Sequence, residues 1–320
     1  MQILEAYENL PGEQNSVVVV GNFDGMHRGH RLLIDESARI AAQNHCKNVL
    51  VTFEPHPRLV LKPEVPFDQL TTFDEKIHLF SSLPIDYLVC LPFTPQFSRL
   101  SPEEFIETVL VRRLRAIGWV MGHGHGVGKD RSGDNKVLLN ILSKYHITPF
   151  PAILVEQQQT VVSSTQIRVD VVNGRIDEAV AMLGHPYLIS TTRIAGLKIG
   201  SQLGFPTLNF TRPPSRKVLP PPGVYAAELE FKGCLLQGAL YFGDCPTFSD
   251  RTVHFEFHAL DAGGVFPDLG EEARLWVHRF IRSDRTFPAA AELVVQIEED
   301  ITTIRTFFIE ERGHATNQRT

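Results

Sequence analysis

Basic residues are the first thing this chain is short of. Its 31 Lys and Arg face 37 Asp and Glu, a formal net charge of −6 at pH 7, and nowhere do they gather into a block. A broad surface for nucleic acid or for an anionic membrane is therefore not expected. A small phosphate ligand needs only a few local donors and stays possible. Cysteine is scarce too: Cys46, Cys90, Cys234 and Cys245 include no CxxC pair, and two of them sit in apolar strand-like runs. Buried, reduced thiols are expected rather than disulfides or a zinc site. No apolar run approaches the ~18 residues that a membrane span needs. The opening segment MQILEAYENLPGEQNS is acidic, without the basic and apolar regions of a secretion signal. Together these absences predict a cytoplasmic protein. There is no internal repeat, no GKS or GKT of a Walker loop, and no GxGxxG of a dinucleotide fold.

What is present is enough for two domains. The chain has 320 residues, 43% hydrophobic and 21% charged, an ordinary globular balance. Four valines at 17–20 end at Gly21, a β-branched run that predicts a fully buried parallel strand. The segment from His30 to Asn44 puts Leu33, Ile34, Ala38 and Ala41 on one helical face. Further strands are predicted at 48–53, 86–93, 119–122 and 151–156. Helices are predicted to start at the capping boxes Thr72/Glu75 and Ser101/Glu104. Strand and helix alternating at this spacing mean a parallel sheet with helices on both faces. After an amphipathic helix at 175–184 the texture changes. From about Tyr187 short β-rich runs alternate with Pro/Gly/Asp turns and predict an antiparallel barrel or sandwich. A helix follows, and then a polar tail, 311–320, expected to be irregular.

The chemistry-bearing residues of the first half lie between the valine strand and the first helix, in Gly21-Asn22-Phe23-Asp24-Gly25-Met26-His27-Arg28-Gly29-His30. In an open parallel sheet, ligands bind beyond the carboxyl ends of the strands. Gly25 and Gly29 allow a phosphate close to the backbone, and a helix N-terminus favours anions. His27 and His30, three apart, can face one ligand. Two imidazoles there suit a reaction in which charge builds on a phosphoryl group and pyrophosphate leaves. A second cluster is Ser163-Ser164-Thr165-Gln166-Ile167-Arg168. Its Ser163 and Gln166 could be a plain capping box, but the further hydroxyls and the arginine also fit a triphosphate.

In the second half, Gly204-Phe205-Pro206-Thr207-Leu208-Asn209 presents a hydroxyl and an amide from a rigid turn, suited to a hard cation and phosphate. By itself such a turn is ordinarily only a turn. Glu256 and His258 share one face of the strand HFEFHAL, with Phe255 and Phe257 on the other.

The segments GNFDGMHRGH, TFEPHPR, SPEEFIETVL, KDRSGD, VSSTQIR, LGHPY, LGFPTLN, GVYA, CPTF and FEFHALD occur in an order and spacing that resembles the bacterial bifunctional riboflavin kinase/FAD synthetases. The resemblance covers nearly the whole chain. It implies an α/β Rossmann-like nucleotidyltransferase domain, 1–186, followed by a six-stranded antiparallel β-barrel riboflavin kinase domain, 187–310. ATP, riboflavin and FMN are the implied substrates and Mg²⁺ the implied cofactor. By resemblance His27 and His30 stabilise the ATP α-phosphate during attack by FMN, and Asn22, Asp24 and Gly29 of the same loop bind ATP. Ser164, Thr165 and Arg168 hold the ATP phosphates, and Phe53, Pro55 and His56 lie near the flavin. Gly204, Thr207 and Asn209 bind ATP and its Mg²⁺. Glu256 takes the proton of the ribityl 5′-hydroxyl as it attacks the γ-phosphate, and Arg282 lies near the flavin or phosphate. Small-molecule partners only, and a monomer or weak homo-oligomer, complete the expectation.

The chain departs from the family pattern on the nucleotide side of both halves. Its Gly122–Gly128 loop has Gly124 and His125 where the family has an acidic or amide residue and an aromatic. Ahead of LGFPT, Ala195 and Ser201 replace a histidine and an arginine, with Lys198 the candidate substitute charge. Tyr241 replaces an asparagine. Two other readings therefore stand beside the bifunctional one: an enzyme that keeps one activity, and a flavin- or nucleotide-binding regulator without turnover.

Overall fold

The computed structural model describes residues 1–4, 8–122, 135–151, 156–157, 160–196, 200, 203–213, 216–231, 234–243, 254–260 and 272–317. The chain falls into two compact units, Met1–Ser164 and Thr165–Thr320.

The first unit is a six-stranded parallel sheet. Its strands are β1 (Gln2–Leu4), β2 (Ser16–Val20), β3 (Lys47–Glu54), β4 (Tyr87–Pro92), β5 (Ala116–Met121) and β6 (Thr148–Pro151), in the order β1-β4-β3-β2-β5-β6. Successive strand side chains point to opposite faces, so the valine run divides between two cores. Val18 and Val20 join Val49, Val51, Phe105, Ile106 and Leu110. Val17 and Val19 join Leu50, Leu33, Ile34 and Phe80. Burial on both faces is what a continuous β-branched run codes for, and each buried valine is worth ~1.5 kcal/mol or more. Helix α1 (Arg28–Gln43) follows β2. Then come α2 (Pro57–Leu61), α3 (Phe73–Ser81), α4 (Pro102–Phe105, continuing as a π-turn through Ile106–Val111) and α5 (Asn135–Lys144). Both expected capping boxes are formed, at Thr72/Glu75 and at Ser101/Glu104. The strand order reverses beside β2, and the β2–α1 loop opens at that switch point, where α/β sheets bind ligands.

Three expectations need correction, and one strand was not foreseen. The described cysteines are not fully buried: Cys46 and Cys90 are half-buried and Cys234 is exposed. The last sheet strand is Thr148–Pro151, not 151–156; Glu156–Gln157 (β7) instead pairs with Thr160–Val161 (β8) as a small hairpin, and 152–155 lie outside the described residues. A short strand, β1, precedes the valine run and pairs parallel with β4. The tail expected to be irregular is helical through Asn317. Its Glu-Glu-Arg continuation carries good helix formers, and Arg312 Nη2 donates to Gln237 Oε1 at 2.5 Å.

The second unit opens with most of α6 (Ser164–Val172) and with α7 (Ile176–Leu183). It then forms a closed antiparallel barrel of β9 (Tyr187–Ile194), β10 (Leu208–Phe210), β11 (Gly223–Phe231), β12 (Cys234–Gly243), β13 (His254–Ala259) and β14 (Glu272–Ser283), in the order β10-β13-β12-β11-β14-β9. Closure leaves no sheet edge exposed. Tyr225, Leu229, Phe255, Phe257 and Leu275 are fully buried. Val224 and Ala226, on the opposite face of β11, pack with Ile304, Phe307 and Phe308 of the final helix α8 (Ala290–Asn317).

Candidate active sites

In the first unit the β2–α1 loop is built around His27, the N-cap of α1. Its Nδ1 accepts the backbone N–H of His30 at 3.3 Å. The His27 and His30 rings stack with centroids 3.6 Å apart at 17°. His30 also meets the edge of Phe23 at 5.2 Å, and Phe23 in turn meets Phe80. A Cβ on Gly29 would come within 3.2 Å of the His27 ring, so glycine leaves the ring its place. The two imidazoles are thus pre-positioned where helix N–H groups favour an anion.

Asp24 is only 2% exposed. Its carboxylate accepts the N–H groups of Leu70 (3.1 Å) and Thr71 (3.0 Å) and the Thr71 hydroxyl (3.2 Å), while Thr71 Oγ1 accepts from Gly25 N. These bonds brace the loop from behind. Thr71 is a bracing residue that sequence reasoning did not single out, because nothing local links positions 24 and 71. Ser164 donates to the Asp24 carbonyl at 2.7 Å, joining the start of α6 to the loop. Asn22 is half-buried at the loop's beginning, Thr165 is exposed and Arg168 half-buried on α6. Phe53, one residue before the end of β3, packs against Phe93 and Phe97. Pro55 follows a cis peptide bond. His56 is buried, caps α2 through Nδ1, and tilts against Phe67. The Gly124–His125 region lies outside the described residues.

In the second unit a cavity of about 180 Å³ lies on the outer face of the barrel under α8, with Leu293, Ile297 and Ile301 as its helical wall. Strand register lays one row across its floor: Asn209 opposite Glu256, Glu256 opposite Tyr241, Tyr241 opposite Val224, and Val224 opposite Arg282. At one end Thr207 Oγ1 donates to Glu256 Oε2 at 3.2 Å. At the other, Arg282 grips the buried Asp300 through Nε (2.9 Å to both oxygens) and Nη2 (2.8 Å). Gly204 takes the left-handed φ of +91° that the turn before Phe205 requires. Gly196 and Gly200 stand where a Cβ would collide with the Asn209 amide and with the Phe205 carbonyl. His258 Nδ1 bonds the Pro206 carbonyl at 2.9 Å, securing the turn. The cavity thus brings together Thr207, Glu256 and Arg282, with Asn209 paired to Glu256 on the neighbouring strand, and adds Asp300 and Asp284, which the sequence did not single out because their partners are distant along the chain. Ser201 and Lys198 lie outside the described residues.

A parallel sheet with a histidine pair at its switch point, joined to a closed barrel with a Thr–Glu pair in an outer cleft, defines a fused pair of transferase modules. Family models agree: the one described as FAD synthetase matches residues 10–166, and the one described as riboflavin kinase matches residues 183–308. A bifunctional riboflavin kinase/FMN adenylyltransferase of Listeria monocytogenes is 34% identical over 92% of this chain and 93% of its own. One from Escherichia coli K12 is 30% identical over 96% of this chain and 98% of its own. The chain belongs to the bifunctional riboflavin kinase/FMN adenylyltransferase family. A crystal structure described as a macrolide-efflux protein from Streptococcus pneumoniae has the same fold, with a TM-score of 0.82 and 26% identity over 95% of this chain and 99% of that one. Among the described residues here, no helix is long and apolar enough to cross a membrane.

Proposed function

We propose that this chain makes flavin cofactors in two ATP-dependent steps. The barrel cleft transfers the γ-phosphate of ATP to the 5′-hydroxyl of riboflavin, giving FMN and ADP. The β2–α1 loop then joins FMN to the AMP part of ATP, giving FAD and pyrophosphate. The kinase step is assigned to residues 187–310 and adenylyl transfer to residues 1–186. What supports the reading most is that each half keeps its reactive groups already in contact: His27 stacked on His30, and Thr207 bonded to Glu256.

In the first half, His27 and His30 stabilise negative charge growing on the α-phosphate. Asn22, Ser164, Thr165 and Arg168 hold the remaining phosphates, and Asp24 holds the loop. Phe53, Pro55 and His56 supply the flavin surface. In the second half, Glu256 takes the proton from the attacking hydroxyl. The donor set there is neutral oxygen, Thr207 and Asn209, beside one carboxylate. No cluster of three or more His, Cys, Asp or Glu side chains suited to a metal occurs among the described residues. Few protein oxygens with room for water and phosphate is the ligation Mg²⁺ prefers, so the residues fit it. Held by Thr207 and Asn209, Mg²⁺ would neutralise charge on the transferring phosphates. The same reading makes the protein cytoplasmic, a monomer or weak homo-oligomer, with small-molecule partners and no nucleic acid. Its net charge of −6 supports the last point.

The test is incubation with riboflavin, ATP and Mg²⁺, followed by chromatography of the flavins. FMN followed by FAD is the expected result. FMN alone would leave the first half without turnover. FAD only from supplied FMN would do the same for the second half.

A further inference from the structure

The cleft contains a hydroxyl–carboxylate pair that none of the steps above uses. Tyr241 stands directly across from Glu256, one strand over, and side chains so paired lie on one face. Its hydroxyl donates to Asp284 Oδ2 at 3.1 Å, and Asp284 Oδ1 accepts the N–H of Arg285 at 2.9 Å. Tyr241, Asp284 and Glu256 all line the same cavity. Gly243, next on that face of β12, makes the pairing possible: a Cβ there would collide with Tyr241 Oη and come within 3.2 Å of Asp284 Oδ2. An ionised carboxylate has about four acceptor positions and no donor. Two of Asp284's are occupied, and what it still offers to the cleft is matched by a hydroxyl group. Asp284 follows β14, three strands from Glu256 in β13, and the Tyr241 side chain spans the interval, so an extended polyol with its terminal hydroxyl at Glu256 would run along the cavity towards Asp284.

We infer that Asp284, held in place by Tyr241, is a specificity-determining residue that reads the secondary hydroxyls of the flavin's polyol side chain. The inference rests on the kinase reading. It gives the replacement of the family's asparagine by Tyr241 a purpose: the longer side chain reaches the carboxylate at the start of the β14–α8 connection and fixes it in the cavity that the base also lines. A site that hydrogen-bonds a substrate hydroxyl rejects the analogue lacking it, because its own polar group is then left without a partner.

The experiment compares kcat/KM for riboflavin with that for a flavin whose five-carbon side chain keeps only the terminal hydroxyl, in the wild type, Tyr241→Phe and Asp284→Ala. The wild type is expected to prefer riboflavin by ~10-fold to 10²-fold, the scale of a hydrogen bond to a charged group. In Asp284→Ala the preference falls towards unity, through a raised KM for riboflavin and better use of the deoxy flavin, which no longer leaves a carboxylate without a partner. Tyr241→Phe gives an intermediate loss. A variant that fails to fold loses both substrates alike, so Tyr241→Phe, which keeps the ring, then decides. A wild-type preference kept in full by the folded variants, or no preference in the wild type, overturns the inference and leaves the kinase intact. A wild type that phosphorylates neither flavin overturns the kinase reading itself.

Discussion

Gly29→Ala separates stability from catalysis in the first half more sharply than removal of any reactive group. Position 29 is in the first turn of α1, where alanine is the better helix former by up to ~1 kcal/mol. Its φ is ordinary, so the backbone accepts the change without strain. The new methyl, however, comes within 3.2 Å of Cε1 and Nδ1 of His27. The ring can yield only by sliding on His30, 3.6 Å away, or by releasing the His30 N–H that it caps at 3.3 Å. Loss of a cap costs ~0.5–2 kcal/mol, so gain and loss nearly cancel. The melting temperature is expected to move little. Catalysis does not share the compensation, since a misplacement of ~1 Å in reacting geometry costs about 10²-fold. A displacement of a few tenths of an ångström should lower FAD formation from FMN by ~10-fold, with FMN formation from riboflavin unchanged. Calorimetry and a two-substrate flavin assay on one preparation measure all three quantities. If Gly29→Ala forms FAD at the wild-type rate, the stacked histidines are not where charge develops.

His30→Ala should cut FAD formation by ~10²-fold or more, the scale of losing one donor to developing charge, and leave FMN formation alone; equal loss of both activities in the same assay would contradict separate sites. Glu256→Gln should lower riboflavin phosphorylation by ~10²–10⁴-fold in turnover while supplied FMN is still converted to FAD, and Thr207→Ala should in addition weaken ATP–Mg²⁺ binding; wild-type turnover in Glu256→Gln would reduce Glu256 to an ordinary strand carboxylate. Burial, reinforced by the Glu54 charge and opposed by Lys76, pushes the Cys90 thiol up to about 11. Its unfolded value is ~8.5, so this group's contribution to stability is present below that pH and lost as pH rises through about 11. Peptide mapping after alkylation at pH 8 should find exposed Cys234 modified and half-buried Cys90 spared; rapid modification of Cys90 in the folded protein would count against its raised thiol.

What the sequence made legible were features whose cause is local. The valine run, the capping boxes and the alternation Phe255-Glu256-Phe257-His258 each carry their period within a few residues, and each is realised. The misplaced strand has a local cause as well. Ala152–Val155 is the more apolar run, but β6 is Thr-Pro-Phe-Pro, and it stands at the end of the sheet. Proline removes a ladder donor and is tolerated at an edge strand, so a reading that penalises proline overlooks it. The bracing contacts were illegible for a different reason. Asp24 with Thr71, Tyr241 with Asp284 and Arg282 with Asp300 are separated by 47, 43 and 18 residues. Only the folded sheet, the barrel and the final helix bring them together.

The same distinction bears on the departures from the family pattern. In the second half, Ala195 and Ser201 take the places of charged or polar residues, yet both glycines of that segment are kept. Each has a steric duty: Gly196 leaves room for the Asn209 amide, and Gly200 for the Phe205 carbonyl and the Thr207 side chain. Any side chain at either glycine would displace Thr207 or Asn209 from Glu256. The positions that changed therefore bear on how a ligand is gripped, and the positions that stayed fix the reacting groups relative to one another. Loss of uniform binding raises KM and leaves kcat in place. The chain's own replacements should accordingly appear as weak ATP binding in the kinase step, with turnover at saturation preserved.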